Sequence, residues 1–580
     1  MVFKPTALLV TMMLLASSAA MAQEDIRPRP LPKLDPNIQF VRLKEGTLLG
    51  VFQHIAKLGS PEQAVSARYS NDNGTTWGEP SVLFPVPTAP GTWSAGELLV
   101  DRDNELHVFF AIIGSGVTSR GEQDRPLVGE LTNARIDIGY VRSSNGRKTW
   151  SKPRVLWIGY TGALNSVIQM KSGRILLPFS YLTKRSWGNR GQGLAAFTFM
   201  GQYNCTLIYS DDGGATWKLG TDLLVPVPDI VSAYGAVEPV VVELPDGRVW
   251  NLIRTQNGRF WESFSTDGAN WSEPRPNNII SSDSPAGLVR LTDGRIVLFW
   301  NNCLRYPYAY GGRQVLHAAI SEDLGKTWRG IREVGRDPLR NEAPPNHDYG
   351  TAYPFPILAN DNKVIFVSGQ GEGRVIRMIL DPKWLYETRQ QAEFAARPEE
   401  WAMFGTRGVG IVPHPTKPAQ KILEIRKTEV GWPAATTWNF PAGTRGRVQL
   451  SIQIHPGFGG ALIGLTDHFS TPFDIEDRYN NVHNLWIPAD GRLSDSAKLI
   501  PGKWHKLELE WDAAKQSCRV LLDGRQAATL PVVRSSPNIC YLRLSSTSET
   551  TDPSGFLVES AQADVRPAER VSSLDRKRAR

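Results

Sequence analysis

Glu238 and Tyr353 are reactive residues at equivalent positions of a repeated segment in which two apolar runs flank a turn. Each lies eight residues before the aspartate of its turn, Asp246 or Asp361. A phenol is neutral near pH 7 because its unperturbed pKa is about 10, and a nearby carboxylate can accept its proton while the oxygen attacks an electrophile. The two residue types at equivalent positions therefore mark a candidate catalytic site. The structural alternatives are an ion pair between Glu238 and an arginine, and packing of Tyr353 among other aromatic residues.

A turn motif, Ser-x-Asp-x-Gly-x-Thr-Trp, recurs along the same part of the chain. We expect its aspartate to accept hydrogen bonds from backbone N–H groups, its glycine to take a positive φ, and its tryptophan to pack over the turn. Its role is therefore structural. Complete copies lie at Ser70–Trp77, Ser210–Trp217 and Ser321–Trp328, and degenerate copies at Ser143–Trp150 and Ser265–Trp271.

Six hairpin patterns alternate with these motifs, and each of the first five is followed by one motif copy. They cover residues 41–52, 98–110, 167–179, 240–253, 288–300 and 357–369. A hairpin followed by a second hairpin makes a four-stranded blade, and a closed ring of blades leaves few exposed strand edges. The sequence therefore predicts an all-β chain with a six-bladed β-propeller over residues 34–388.

The six equivalent positions should lie on the first strand of each blade and face the central channel. Besides Glu238 and Tyr353 they are Asn37, Ala95, Leu164 and Pro285. Arg254 follows Glu238 by 16 residues, on the next strand of the same hairpin. Because it follows two apolar residues, its charge is costly to bury without a partner.

From residue 419 onward strand-like runs continue without the turn motif. They lie at 446–455, 461–468, 504–512, 518–530 and 540–546. This pattern predicts a β-sandwich over 419–566, and the segment GKWHKLELEWDAAKQSCRVLLDGR resembles laminin-G and lectin-like domains. Residues 389–418 are expected to form a connector, with a short helix around 385–396.

Charge and cysteine content exclude several classes of protein. Most of the formal net charge of +7 comes from Lys4 and a basic tail at 567–580, so the body lacks the basic surface typical of nucleic-acid binding. Four cysteines do not make a disulfide framework. Of these, Cys518 and Cys540 could pair, whereas Cys205 and Cys303 are expected to be free and buried.

Residues 1–22 have the pattern of a secretory signal. Lys4 precedes an apolar run at 7–16 that is too short to span a bilayer, and small residues stand before Gln23. We therefore expect a secreted or periplasmic protein without a membrane anchor.

The turn motifs on a predicted six-bladed propeller resemble the sialidase superfamily of BNR-repeat proteins over residues 34–388. The resemblance implies glycoside hydrolysis by a tyrosine nucleophile that a glutamate activates, which is an exception among glycosidases. Tyr353 and Glu238 look like that pair. A neutral phenol also avoids repulsion from a substrate carboxylate.

The family also places three arginines around the substrate carboxylate, which guanidinium groups bind through bidentate, charge-assisted bonds. Arg254 resembles the second arginine. Arg313 resembles the third, with Arg305 as its competitor. Where the family has its first arginine, this chain has Asn37.

The acid/base aspartate of the family is expected on the second blade, where this chain has Ala95. Glu97 lies two residues further, on what should be the same face of the strand, and is the candidate replacement. Asp124, His347 and Asp348 are looser candidates, because they are predicted to lie in loops.

Together these residues predict an exported, sialidase-like glycosidase whose partner is a glycan or glycoconjugate with an acidic sugar, either sialic acid or a uronic acid. The basic, Gly-rich segment 184–193 contains Trp187, which could stack on a sugar ring. No cofactor is expected, although sandwiches of this type can hold a structural calcium ion. Two alternatives stay open. One is a polysaccharide lyase acting on uronate glycans, and the other is a carbohydrate-binding propeller without catalysis.

Overall fold

The computed structural model describes residues 25–567, except for 36, 56–61, 90, 115–135, 186–200, 227–234, 305–311, 343–348, 404–406 and 473–475. The predicted signal segment and all but the first residue of the basic tail lie outside the described residues. So do most of the segment 184–193 and four candidate site residues, Asp124, Arg305, His347 and Asp348.

Six antiparallel sheets follow one another in the described part of residues 29–380, and in each the paired strands are largely consecutive in the chain. The first sheet contains β2 (Gln39–Arg42), β3 (Leu48–Ile55), β4 (Gln63–Ser70) and β5 (Ser81–Pro85). The second contains β6 (Thr92–Val100), β7 (Leu106–Ile113), β8 (Ile136–Ser144) and β10 (Arg154–Trp157), with β9 (Thr149–Trp150) paired to β8. The third contains β11 (Ile168–Gln169), β12 (Ile175–Arg185), β13 (Gly201–Ser210) and β14 (Lys218–Leu219).

The other three sheets have the same order. The fourth contains β15 (Val237–Glu243), β16 (Val249–Arg254), β17 (Arg259–Ser265) and β18 (Arg275–Ile280). The fifth contains β19 (Gly287–Arg290), β20 (Ile296–Trp300), β21 (Val315–Ser321) and β22 (Arg329–Arg336). The sixth contains β23 (Phe355–Leu358), β24 (Val364–Ser368), β25 (Ile376–Leu380) and, as its outer strand, β1 (Arg29–Pro30).

The sheets close on themselves. The innermost strand β15 contacts β11 and β19, and β23 contacts both β19 and β2, which in turn contacts β6. A hydrogen bond of 2.8 Å from the Arg102 main-chain N–H to Gln169 Oε1 joins the second sheet to the third. The prediction of an all-β propeller is confirmed, but its start at residue 34 is wrong. The pairing of β1 with β25 places the start at residue 29 or earlier, and two residues are too short a strand to show a period in the sequence.

The three complete turn motifs have the expected geometry, with the aspartate accepting a main-chain N–H in each. In the first copy, Ser70 Oγ donates to Asp72 Oδ1 at 2.8 Å, Asp72 accepts from the main chain of Thr76 at 2.9 Å, and Trp77 Nε1 donates to the Gly74 carbonyl at 2.9 Å. The Gly74 φ is 80°, which side chains with a Cβ adopt rarely. The Trp77 ring also stacks on Phe40 of β2, with ring centroids 5.2 Å apart. The tryptophan of the motif therefore packs the outer turn of a blade against a strand of the same blade.

A β-sandwich follows the propeller. One sheet has the order β28 (Val409–Pro413), β29 (Lys421–Lys427), β40 (Asp552–Arg566), β31 (Arg445–Ile454), β36 (His505–Asp512), β37 (Ser517–Leu522) and β38 (Arg525–Leu530), with β26 (Arg389–Gln391) also paired to β40. The other has the order β27 (Trp401–Ala402), β30 (Ala435–Gly443), β39 (Ile539–Ser546), β32 (Ala461–Thr466) and β33 (His483–Ile487). A small hairpin consists of β34 (Arg492–Ser494) and β35 (Ala497–Lys498).

The predicted connector and helix are wrong. Three strands of the region 389–418 pair with sandwich strands, β26 with β40, β27 with β30 and β28 with β29, so the sandwich begins at residue 389. In place of the helix, the described chain has 3-10 turns at Pro382–Tyr386 and Pro398–Glu400. None of the described helices is long and apolar enough to cross a membrane.

All four cysteines are free and buried. This confirms the expectation for Cys205 and Cys303, but the pairing of Cys518 with Cys540 is wrong. Cys518 packs in the core between the two sandwich sheets, whereas Cys540 points to the opposite side of its sheet, into a core shared with the propeller.

That shared core joins the sandwich to the fifth sheet of the propeller, and a buried polar cluster lies beside it. Tyr541 Oη of β39 donates to Glu333 Oε1 of β22 at 2.8 Å and accepts a bond of 2.5 Å from His317 Nε2 of β21. The Glu333 main-chain N–H donates to Asn439 Oδ1 of β30 at 2.9 Å. Burial lowers the pKa of His317 to about 4, so this histidine is neutral at neutral pH.

Candidate active site

The candidate residues gather at one end of the propeller because of where their strands begin and end. Glu238 is the second residue of β15, and Arg254 is the last residue of β16. Tyr353 stands two residues before β23, and Arg313 stands two residues before β21. Neighbouring strands are antiparallel, so the start of a first or third strand and the end of a second strand lie at the same end of a blade.

Tyr353, Glu238 and Arg254 form one hydrogen-bonded cluster. Tyr353 Oη donates to Glu238 Oε1 at 2.9 Å. Arg254 Nη1 donates to Tyr353 Oη at 3.0 Å and makes a very short bond to Glu238 Oε2. Glu238 and Arg254 are buried, but Tyr353 is half-buried, so its ring remains accessible. The predicted proximity of Tyr353 and Glu238 is therefore present, and the ion pair of Glu238 with an arginine coexists with it.

The backbone at both reactive residues is unusual. The φ of Glu238 is 47° and that of Tyr353 is 63°, in the left-handed region that non-glycine residues seldom adopt. Glu238 also lies in a β-bulge, because the pairing of β15 with β16 shifts between Val237 and Val240. Each residue precedes a proline, which disfavours the right-handed helical conformation before it. Such strain is concentrated at functional sites.

Arg254 is held as a cation by the acidic groups around it. Burial lowers the pKa of its guanidinium, but the charges and hydrogen bonds of Glu238 and Tyr353 outweigh burial, and the net shift is upward. The Glu238 carboxylate therefore always faces a positive charge.

Asp283 is a site residue that the sequence did not reveal. It lies between β18 and β19, and its Oδ1 accepts from Arg254 Nε at 3.0 Å and Nη2 at 2.9 Å. Its main-chain carbonyl accepts from Arg313 Nη2 at 2.7 Å. Only the register of two separate blades brings it beside the arginines, and nothing in the spacing of the chain indicates this.

Arg313 lies beside the cluster, as the sequence predicted for a carboxylate-binding arginine. Its guanidinium carbon is 5.8 Å from the centroid of the Tyr353 ring, and its Nη1 donates to Gln370 Oε1 at 2.8 Å. The chain at Gly350 runs so close to it that a Cβ there would be 2.2 Å from the Arg313 carbonyl oxygen, and the Gly350 φ is 85°. Glycine at this position therefore allows the segment leading to Tyr353 to pack against Arg313.

The structure corrects the expectation that all six equivalent positions lie on the first strand of a blade. Only Ala95 and Glu238 lie on a first strand, whereas Asn37, Leu164, Pro285 and Tyr353 precede one. Asn37 is exposed and has a φ of 55°, like Glu238 and Tyr353. The same backbone conformation therefore recurs in three sheets, although the first of them carries no reactive side chain.

Glu97 does not share the strand face of Ala95. The pairing of β6 with β7 shifts between them, so Ala95 stands opposite Phe110 and Glu97 opposite Phe109, which point to different faces. Glu97 is buried, and its Oε1 has no hydrogen-bond partner among the described residues. Burial raises the pKa of this carboxyl well above its ordinary value. Glu97 is therefore a carboxylic acid that keeps its proton to higher pH than usual.

The arrangement has the parts of a nucleophilic site at an accessible end of the propeller. A half-exposed phenol donates its proton to a carboxylate, and two guanidinium groups flank the phenol. The carboxylate can accept the proton as the phenolic oxygen forms a bond, and the positive charges can bind an anionic group.

Comparisons with known proteins identify the family of the chain. The model of the BNR repeat-like domain matches residues 46–367. A sialidase of Micromonospora viridifaciens is 27% identical over 290 residues, which are 46% of this chain and 40% of that protein. A sialidase of Clostridium perfringens is 28% identical over 218 residues, 34% of this chain and 53% of that protein. This chain thus spans about half or less of the length of these two relatives.

Solved structures resemble the chain more distantly. Trypanosoma rangeli sialidase covers 92% of this chain with 91% of its own, at 13% identity and a TM-score of 0.38. A protein of unknown function from Dyadobacter fermentans covers 61% of this chain with 98% of its own, at 18% identity and a TM-score of 0.43. The family model covers more than half of the chain, so the protein belongs to the BNR repeat-like family of sialidase-like proteins.

Proposed function

We propose that the protein is a glycoside hydrolase that removes an acidic sugar from a glycan or glycoconjugate, with Tyr353 as nucleophile and Glu238 as its base. The observation that supports this most is the bond of 2.9 Å from Tyr353 Oη to Glu238 Oε1 at an accessible end of the propeller. The relatives named sialidase support the same reaction class.

The reaction proceeds in two displacements. As Tyr353 Oη bonds to the anomeric carbon, its proton passes to Glu238, and the bond from that carbon to the leaving oxygen breaks while an acid protonates the oxygen. Water then attacks the anomeric carbon of the glycosyl–tyrosine and gives up a proton to the conjugate base of that acid, while Glu238 returns its proton to Tyr353. The configuration of the sugar is retained, because each displacement inverts it once.

For the acid we keep Glu97 as a proposal because it lies on the second sheet, where the family resemblance places that residue, although its side chain is on the face opposite to that of Ala95. A general acid must hold its proton near the working pH, and burial raises the pKa of Glu97 in that direction. For the substrate carboxylate, we propose Arg313 and Arg254. We also propose that residues 1–22 direct export, since glycans and glycoconjugates are abundant outside the cytoplasm.

The first experiment incubates the purified protein with a fluorogenic α-sialoside and compares it with Tyr353→Phe. We expect release of the fluorophore by the parent protein and none by the variant, with unchanged thermal unfolding in both. If the parent releases nothing, the same pair is tested on uronate glycans, both for reducing ends and for the ultraviolet absorbance of an unsaturated product. Absorbance would indicate a lyase, binding without product would indicate a lectin, and equal turnover by the two proteins would contradict the assignment of Tyr353.

A further inference from the structure

The guanidinium N–H groups of Arg254 that could bind a ligand already donate to other residues of the protein. Nη1 of this arginine is bound to Glu238 and Tyr353. Its other edge, Nε and Nη2, is bound to Asp283 Oδ1 at 3.0 and 2.9 Å. A ligand carboxylate can therefore pair with both Nε and Nη2 of Arg254 only if it takes the position of the Asp283 carboxylate.

Asp283 is the more exposed of the two carboxylates that pair with Arg254. Its side chain is 21% exposed, compared with 9% for Arg254 and 6% for Glu238. Its second oxygen, Oδ2, accepts a long bond of 3.4 Å from Gln256 Nε2. Glu238 is buried, and both of its oxygens accept hydrogen bonds within the site. Of the two carboxylates on Arg254, Asp283 is thus the one that solvent and ligand can reach.

We propose that Asp283 is a specificity-determining residue, an internal competitor for the carboxylate of the acidic sugar. The sugar binds Arg254 by displacing the Asp283 side chain from Nε and Nη2, so that Asp283 weakens the affinity for any sugar acid and leaves neutral sugars unaffected. This rests on the proposed function, in which Arg254 binds the substrate carboxylate.

The local geometry predicts that removing this side chain leaves the arginines in place. Arg254 keeps its bonds to Glu238 and Tyr353 through Nη1. Arg313 binds the main-chain carbonyl of Asp283, which every substitution retains. The two carboxylates and two guanidinium groups of the site would become one carboxylate and two guanidinium groups, which favours an anionic ligand.

The experiment measures binding by calorimetry to the full chain, with N-acetylneuraminic acid, D-galacturonic acid and D-galactose as probes. For at least one of the two sugar acids we expect the Kd to fall about tenfold or more in Asp283→Ala, which corresponds to one charge-assisted bond regained. Asp283→Asn, which keeps a neutral acceptor, should gain less. The Kd for galactose should not change, and added salt should reduce the gain.

Asp211→Asn is the matched control, because Asp211 also accepts from Nε and Nη2 of an arginine, Arg174, but next to the ends of the third-sheet strands β12 and β13. It should bind the probes as the parent does. Weaker binding of the sugar acids by Asp283→Ala would overturn the proposal and make Asp283 a support for Arg254. Unchanged binding, or no binding of a sugar acid by any of the proteins, would overturn it as well.

These experiments distinguish failure of the hydrolase assignment from failure of the competitor role of Asp283. If Asp283→Ala binds a sugar acid more tightly but no glycoside is hydrolysed, the competitor role stands and the hydrolase assignment fails. If the parent hydrolyses a glycoside and Asp283→Ala binds no sugar acid more tightly, the hydrolase assignment stands and the competitor role fails.

Discussion

The described part of the chain contains two tyrosine–glutamate clusters with arginine partners, and their hydrogen bonds are nearly the same. In the candidate site, Tyr353 Oη donates to Glu238 Oε1 at 2.9 Å, and Arg254 binds the glutamate. Between propeller and sandwich, Tyr541 Oη donates to Glu333 Oε1 at 2.8 Å. Arginines bind that glutamate too, at 2.6 Å from Arg336 and 3.3 Å from Arg340. Residue types and distances alone therefore do not distinguish a reactive cluster from a structural one.

Access and backbone conformation do distinguish them. Tyr541 has no exposed surface, and burial raises the pKa of its hydroxyl well above the ordinary value. It lies within the regular strand β39, and neither it nor Glu333 has a positive φ. Tyr353 is half-buried, and both it and Glu238 have left-handed backbone conformations. The cluster that a ligand can reach is also the strained one, which favours a chemical role there and a structural role at the interface.

The largest expected effect is a loss of turnover, which should occur on mutation of Tyr353 and not on mutation of Tyr541. Tyr353→Phe removes the proposed nucleophile, so kcat should fall by about 10³-fold or more. Stability should change little, because Glu238 keeps its bond to Arg254. The measurement is steady-state turnover of the substrate identified above, beside urea unfolding of the same preparation. Turnover within tenfold of the parent would remove Tyr353 from the mechanism.

The second prediction is that the same substitution at the interface lowers stability but leaves turnover nearly unchanged. Tyr541→Phe leaves the buried Glu333 without one donor and His317 without its acceptor, so the free energy of unfolding should fall by about 2–4 kcal/mol. The kcat of the folded variant should stay within about twofold of the parent, because nothing at the Tyr353 site is touched. Urea unfolding followed by tryptophan fluorescence measures the first quantity. A loss of kcat without loss of stability would mean that the sandwich cluster takes part in catalysis.

The contrast also shows what the sequence could predict. Glu238 and Arg254 are 16 residues apart on one hairpin, so the pattern of that hairpin was enough to bring them to the same end of a blade. Tyr353 required only the count of residues before its turn. These predictions depend on short-range geometry, which alternating strands fix strongly.

Contacts between distant segments could not be predicted in this way. Asp283 reaches Arg254 from the connection between two sheets, and Tyr541 reaches Glu333 from another domain, 208 residues away in the sequence. The bulge between Ala95 and Glu97 reverses the expected face of Glu97, and only Gly96 between them hinted at it. The sequence therefore revealed the reactive pair but neither the carboxylate of Asp283 beside it nor the face on which Glu97 lies.

Glu238 and Glu333 each pair with an arginine, whereas no described arginine pairs with Glu97. This residue therefore shows how burial without an ion pair affects a carboxyl. Its pKa is raised by burial, so between the ordinary value of about 4.3 and the raised value the unfolded chain loses a proton that the folded protein keeps. Stability therefore falls as pH rises through this range. Glu97→Gln should be more stable than the parent at pH 7, by about 1.4 kcal/mol for each unit of the rise, and equal to it near pH 4.

Glu105→Gln is the matched control for this prediction, because it lies in the same hairpin and its pKa shifts the other way. Burial opposes the shift, but bonds from Ser143 and the main chain lower the pKa of Glu105. This variant should lose stability at pH 7, and the loss should disappear as the pH falls below 4. Urea unfolding over pH 2–8 measures both variants, and parallel curves for the two would contradict the assignment for Glu97. If Glu97 is also the acid, its variant alone loses turnover of substrates with poor leaving groups.

The smallest expected effect concerns the main chain of the two glutamates. The N–H of Glu238 donates to Ser180 Oγ at 3.1 Å, and that of Glu333 donates to Asn439 Oδ1 at 2.9 Å. In Ser180→Ala the buried N–H of Glu238 loses its acceptor, which should cost about 1 kcal/mol of stability. The left-handed conformation of Glu238 then has less support, so kcat should fall about threefold to tenfold with KM nearly constant.

Asn439→Ala makes the equivalent change at the interface and should lower stability without lowering kcat. Its loss should exceed that of Ser180→Ala, because the Asn439 amide also donates to the carbonyls of Ile331 and Cys540. The two variants are compared by kcat and KM on one substrate and by urea unfolding. An equal fall of kcat in both would mean that Ser180 acts only through the stability of the fold. A fall confined to Ser180→Ala would show that the strained backbone of Glu238 is part of how the site works.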